Sequence, residues 1–226
     1  MPSPEAKNVL KKIRQSGIVP VFYHEDPEIC KNVLKACYEG GIRVFQFTNE
    51  GARAQETYLM LKKYVQSYLP EMYVGIGGIK DAQTAEVFIN YNADFVVCST
   101  IDPAVGDICR DRKVLWIPGC YTPTEIALAE RTGATLLQLL PGEMLGAGFV
   151  RAVRPMFPAM QFIPMGGVEP SASSIIPWLE AGVTAVFMGD KMITPETLAL
   201  NNYSYLKDHV KKLLKTIRQW RQQSIA

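Results

Sequence analysis

Eight short apolar runs, rich in β-branched residues, recur along the chain: "IVPVFY" (18–23), "IRVFQF" (42–47), "MYVGIG" (72–77), "DFVVCS" (94–99), "VLWIPG" (114–119), "TLLQLL" (135–140), "QFIPMG" (161–166) and "TAVFMG" (184–189). Between them lie stretches whose apolar residues return at helical spacing, such as "PEICKNVLKACYEGG", "AQETYLMLKKYVQSYL" and "TPTEIALAERTG". Near-continuous apolar strands predict burial on both faces, which a parallel sheet under helices provides. Eight of them at intervals of roughly 20 to 30 residues predict a closed (β/α)8 TIM barrel of the α/β class. A leading helix (about 4–16) and a trailing one (about 203–222) stand outside the repeats. The crossover at 102–112 is short and ambiguous. Without a linker or low-complexity tract, residues 1–226 read as one domain.

Composition narrows the partners. The 226 residues are 48% hydrophobic and 20% charged, with a formal net charge of +2. That balance predicts neither a nucleic-acid nor a membrane partner. The basic tail "KDHVKKLLKTIRQWRQQ" carries Val210, Leu213, Leu214, Ile217 and Trp220 at helical spacing, so it reads as a surface helix packed by one stripe. Five cysteines without CxxC spacing predict neither zinc nor a disulfide framework. The charged opening "MPSPEAKNVLKKIRQSG" has no apolar segment of a secretory leader, and a cytoplasmic setting is expected.

Barrel chemistry sits on the loops that follow the C-terminal ends of strands. Those ends hold Tyr23-His24-Glu25, Gln46 to Glu50, Gly77 to Lys80, Cys98 to Thr100, Pro118 to Cys120, Gln138 with Pro141 to Glu143, Gly166-Gly167 and Gly189 to Lys191. Gly166, Gly167 and Gly189 offer backbone N–H groups to an anion, or simply permit tight turns. Asp190 opposes an anion there and alternatively caps the following helix. His24, Glu50, Glu143 and Asp190 are loop groups that would bind a cation only if they converged. No nucleophile–base pair is visible. Gln138 is harder to place, because an amide inside a buried strand costs free energy unless something bonds to it.

The order of these segments resembles one family, the 2-keto-3-deoxy-6-phosphogluconate/4-hydroxy-2-oxoglutarate aldolases. The likeness runs from "GIVPVF" through "EGGIRVFQFT", "VGIGGI", "IPGCYTPTE", "LLPGE" and "FPAMQFIPMGGV" to "EAGVTAVFMG". The resemblance implies a trimer-forming (β/α)8 fold and class I aldolase chemistry, in which a strand lysine forms a Schiff base with a 2-keto acid and a glutamate shuttles protons. The lysine position falls on Gln138 and the glutamate on Gln46. An arginine falls near Glu50, a threonine on Gly78, a proline near Ser99 and a phosphate-binding serine on Asp190. Thr48, Gly75, Gly77, Pro118, Gly119, Pro141, Gly142, Glu143, Gly166, Gly167 and Gly189 match the family.

An amide nitrogen cannot condense with a ketone, and Gln46 does not titrate near neutral pH. The expected protein is a diverged member, a homotrimer needing no cofactor or metal, that binds a 2-keto acid-like or other polar metabolite. Gln46, Thr48, Gly78, Pro118, Gln138 and Glu143 would contact that ligand. Gly166, Gly167, Gly189 and Asp190 would line an anion subsite. Two alternatives stay open: a working lyase that uses Lys80, Lys191 or a metal, and a structural or regulatory trimer with a vestigial pocket.

Overall fold

The computed structural model describes residues 3–223. Nine strands form two parallel sheets. The larger has the order β5-β4-β3-β2-β1-β9, from Leu115–Ile117, Phe95–Cys98, Tyr73–Ile79, Val44–Thr48, Ile18–Phe22 and Val186–Met188. The smaller has the order β6-β7-β8, from Gly119–Cys120, Leu136–Leu139 and Gln161–Pro164. The fifth apolar run is therefore two strands. Pro118, which has no N–H to give a ladder, interrupts it and links the sheets. At the other seam, Thr184 N donates to Phe162 O at 2.8 Å.

Ten helices among the described residues cover these sheets, and their starts are written locally. Each of α2 (Pro27–Glu39), α5 (Pro103–Asp111) and α6 (Pro123–Arg131) opens with an Asp or Thr cap and a Pro in the first turn. The cap of α4 (Ala82–Asn90) is Asp81, which accepts from Thr84 N at 2.7 Å. The ambiguous crossover is α5. Its mid-helix Gly106 weakens the helical signal, but the packing needs it, because a Cβ there would sit 2.7 Å from the Trp116 ring. α3 (Ala54–Tyr68) precedes β3. α7 (Gly142–Val153) kinks at Gly146. α8 (Ala172–Ala181), a five-residue α9 (Pro195–Ala199) and α10 (Tyr203–Gln223) complete the chain.

Strand alternation divides the core into two clusters. Ile18, Phe45, Phe47, Val74, Ile76, Leu137, Leu139 and Phe162 face the surrounding helices and meet the buried stripe of α10. Val19, Val21, Val44, Phe95, Val97, Leu115, Ile117, Leu136, Ile163 and Phe187 face the other way, against one another. α1 (Pro4–Ser16) closes one side of this second cluster with Ala6, Val9, Leu10 and Ile13. Because side chains alternate with period two, Gln46 follows Val44 and Gln138 follows Leu136 onto this same face.

One buried ion pair ties the outer layer together. Asp94 Oδ2 accepts from both Lys62 Nζ and Val74 N, each at 2.6 Å, joining α3, β3 and the approach to β4. Burial raises the Asp94 carboxyl above its ordinary range, against the lowering by Lys62 and Val74. Asp94→Asn leaves the buried Lys62 ammonium without its counter-charge, and urea unfolding is expected to show a loss of about 3 kcal/mol. A Lys62→Met, Asp94→Asn double variant should recover much of that loss; equal losses in single and double variants would contradict the pairing.

Candidate active site

The strands' C-terminal ends hold a cavity of about 740 Å³. Val21, Phe22 and Ile29 line one wall, and Ile193, Pro195, Leu198 and Ala199 of the β9–α9 region line another. Of the residues singled out in the sequence, Tyr23, His24, Thr48, Glu50, Gly189 and Asp190 reach it. Gln46, Gly78, Pro118, Gln138, Glu143, Gly166 and Gly167 are not in its lining, although Met165, beside Gly166, is.

Gln46 and Gln138 lie deeper, each only 4% exposed. Gln46 pairs in register with Val21 on one side and Gly75 on the other. Its amide lies over Gly77, where a Cβ would collide with Nε2. Gly75 similarly clears the Phe95 ring. Oε1 of Gln46 is buried without a hydrogen-bond partner among the described residues, a cost of about 1–3 kcal/mol in the free protein. Gln138 stands in register between Gly119 and Ile163, and its backbone N–H donates to Pro118 O at 2.8 Å.

Glu143 follows the start of α7, whose Gly142 N donates to Met165 O at 2.7 Å. The Glu143 side chain lies against Gly166 and Gly167, both at positive φ (99° and 70°), where added Cβ atoms would meet it. A carboxylate thus covers the glycine turn expected to receive an anion. Asp190 is not the cap of the next helix. Its Oδ1 accepts only from the adjacent Lys191 N at 2.9 Å, and Thr194 caps α9 by accepting from Thr197 N at 3.2 Å.

Several features of the mouth are not evident from strand ends alone. The Tyr23 hydroxyl is buried without a partner among the described residues, in space left by Gly51. Burial and then the nearby Glu25, Cys30 and Glu50 raise its pKa, so it stays a neutral phenol. His24 stacks on Phe22, and its Nδ1 accepts from Asp26 N at 3.0 Å. That contact places the proton of the neutral ring on Nε2. α9 escaped the strand-and-helix pattern because it is short, yet its "TPET" start has the same Thr-Pro cap as the "TPTE" of α6.

Charge in the mouth is one-sided. Glu50 and Asp190 line it, and no Lys or Arg does. Lys80 is exposed, and Lys191 pairs with Glu169 at 3.4 Å and faces a separate depression between α9 and α10. Among the described residues, no three His, Cys, Asp or Glu side chains gather as a metal site. The five cysteines are free and buried, and burial pushes their thiols up to about 11 for Cys98 and about 12 for Cys30, Cys37, Cys109 and Cys120. None supplies a thiolate near neutral pH.

Residues 9–209 match the family model described as "Aldolase: KDPG and KHG aldolase". The 2-dehydro-3-deoxy-phosphogluconate aldolase of Treponema pallidum (strain Nichols) is 23% identical over 197 residues, 87% of this chain and 91% of that protein. The enzyme of the same description from Haemophilus influenzae is 22% identical over 163 residues, 72% of this chain and 75% of that protein. Among solved structures, the KDPG aldolase from Legionella pneumophila, with pyruvate captured at low pH as a covalent carbinolamine intermediate, is similar with a TM-score of 0.82. Its identity is 18%, and the match covers 91% of this chain and 97% of that one. At that identity the likeness carries the fold. No helix among the described residues is long and apolar enough to cross a membrane.

The contact of Gln46 with Gly77 is open to a double-mutant cycle. Gly77→Ala forces the amide aside and is expected to cost about 1–3 kcal/mol in denaturant unfolding. In a Gln46→Ala background the same methyl should cost clearly less, and an unchanged penalty would show that the amide is not what fills the space.

Proposed function

Since the chain belongs to the family of KDPG and KHG aldolases, we propose that it keeps the family's barrel and binding mouth but not its Schiff-base reaction. On this reading the two sheets, linked through Pro118 and the Thr184–Phe162 bond, act as one (β/α)8 barrel. The mouth takes a small polar metabolite, 2-keto acid-like or otherwise. Gln46, Thr48, Gly78, Pro118, Gln138 and Glu143 are the positions proposed to contact it, of which Thr48, Pro118 and Glu143 match the family, and Gly166, Gly167, Gly189 and Asp190 stand where the family's anion subsite falls. The homotrimer and the cytoplasmic setting belong to the same proposal.

The observation that carries this reading is the absence of any amine from the mouth. Imine formation needs a desolvated, unprotonated lysine near the carbonyl. The family position holds Gln138, while Lys80 and Lys191 lie outside the cavity. Lyase chemistry through a relocated lysine therefore has no nucleophile in place. A vestigial pocket is the weaker alternative, because a filled core would leave neither a 740 Å³ cavity nor unpartnered polar atoms at Tyr23 and Gln46.

Of the two ligand kinds, the lining favours an uncharged or cationic metabolite over a 2-keto acid. Glu50 and Asp190 repel a carboxylate or phosphate that finds no lysine or arginine beside it. The apolar walls suit a carbon skeleton. Among the lining residues, the unpartnered Tyr23 hydroxyl suits a ligand hydroxyl or N–H group.

Borohydride reduction in the presence of pyruvate tests the reading. Mass spectrometry should find no covalent adduct on the native chain, and an adduct on any lysine would overturn the proposal. The converse variant, Gln138→Lys with Gln46→Glu, restores amine and base and should become trappable if the pocket around Gln138 still admits pyruvate.

A further inference from the structure

The opposite end of the strands carries a second depression, of about 630 Å³, that the family reading does not use. Its floor is apolar, from Met160, Leu179 and Val183. Three arginines surround it from three elements: Arg14 on α1, Arg154 at the end of α7 and Arg221 on α10. No Asp or Glu lines it. Arg14, Arg154 and Arg221 are absent from all the ion pairs formed among the described residues.

Each guanidinium has a defined seat. Arg14 donates to Gln161 Oε1 at 2.9 Å, and Arg221 donates to Gln15 O at 2.8 Å while lying over Gly17. Arg154 packs across Gly182, the αL cap of α8, where a Cβ would meet its Cδ at 2.9 Å. Gln161 Oε1 also accepts from Thr184 Oγ1 at 3.1 Å, so the carboxamide oxygen is occupied and its N–H groups remain as donors. The side-chain polar groups offered by the rim are thus mostly donors.

The simplest rival account is that these arginines compensate helix C-termini, since α1 ends at Gly17 and α8 at Gly182. The magnitudes decide against it as the whole explanation. With the ends of α7 and α10 beside them, four helix C-termini contribute about half a negative charge each, against three full positive charges, leaving about one in excess. A forked guanidinium matches oxyanion geometry, and several together favour a ligand with more than one charge.

We propose that this depression is a second binding site, at the end of the barrel remote from the mouth, for a small polyvalent oxyanion of the phosphate or polycarboxylate class. Arg154, whose guanidinium makes no hydrogen bond among the described residues, is the group freest to grip it.

Thermal unfolding of the full chain in increasing pyrophosphate or citrate, against sodium chloride of equal ionic strength, tests this. A ligand that binds the native state raises the midpoint with concentration. Either oxyanion should do so beyond the chloride control, and whichever acts more strongly identifies phosphate or carboxylate as the preferred group. Arg154→Gln should weaken the apparent affinity about tenfold or more, with Arg154→Lys intermediate, because loss of one charge-assisted contact has roughly that effect. Arg110→Gln removes an equal charge from an exposed position paired with Asp107 and should change nothing. No shift beyond chloride, or equal weakening by Arg110→Gln and Arg154→Gln, would sink the proposal.

Discussion

The inner face beneath the mouth turns on one packing constraint, the seat of the Gln46 amide on Gly77. β2 and β3 are paired in parallel register from Val44–Tyr73 to Thr48–Gly77, so the residues facing the inner core are fixed by parity. Gln46 must point inward because Val44 does. β3 accommodates it by having no side chain at position 77 and none at 75, where Phe95 fills the space. An apolar residue would satisfy that environment at lower cost. Keeping an amide whose oxygen has no partner among the described residues therefore carries a standing cost.

Much of the fold was legible from apolar runs, because a parallel strand buried on both faces leaves an unbroken signature. Helix starts were legible too, through Asp or Thr followed by Pro. The failures were local. A single Gly106 obscured α5 because its reason, the Trp116 ring, lies in the next strand. α9 was too short for periodicity, though its Thr-Pro cap was in plain sight.

The site was legible in part. His24, Thr48, Glu50, Gly189 and Asp190 share one cavity, as residues on neighbouring strand ends should. Gln46 and Gln138 are as buried as their apolar surroundings required. Tyr23 was not distinguishable from any other loop aromatic, because its isolation depends on Phe47 beside its ring and on Gly51 against its hydroxyl. Arg14, Arg154 and Arg221 are more than sixty positions apart in sequence. Only the folded chain brings them to one rim.

The two ends of the strands can be compared through helix dipoles. In alternating strand–helix units, helix N-termini with their partial positive charge gather at the mouth, which ordinarily favours an anion there. Here carboxylates already occupy several of them: Asp26, Asp81 and Asp102 cap α2, α4 and α5 by accepting backbone N–H groups. Glu50 and Asp190 then add negative charge at the cavity itself, and Glu143 covers the glycine turn. At the other end, Arg14, Arg154 and Arg221 more than offset the C-termini of the helices around their own depression. Side chains at both sites thus oppose the polarity that the neighbouring backbone would set. A divergence confined to Gln138 would have silenced the imine chemistry and left the electrostatics of an anion-binding mouth. The difference in charge is a second feature, separate from Gln138: carboxylates line the mouth and arginines the remote rim.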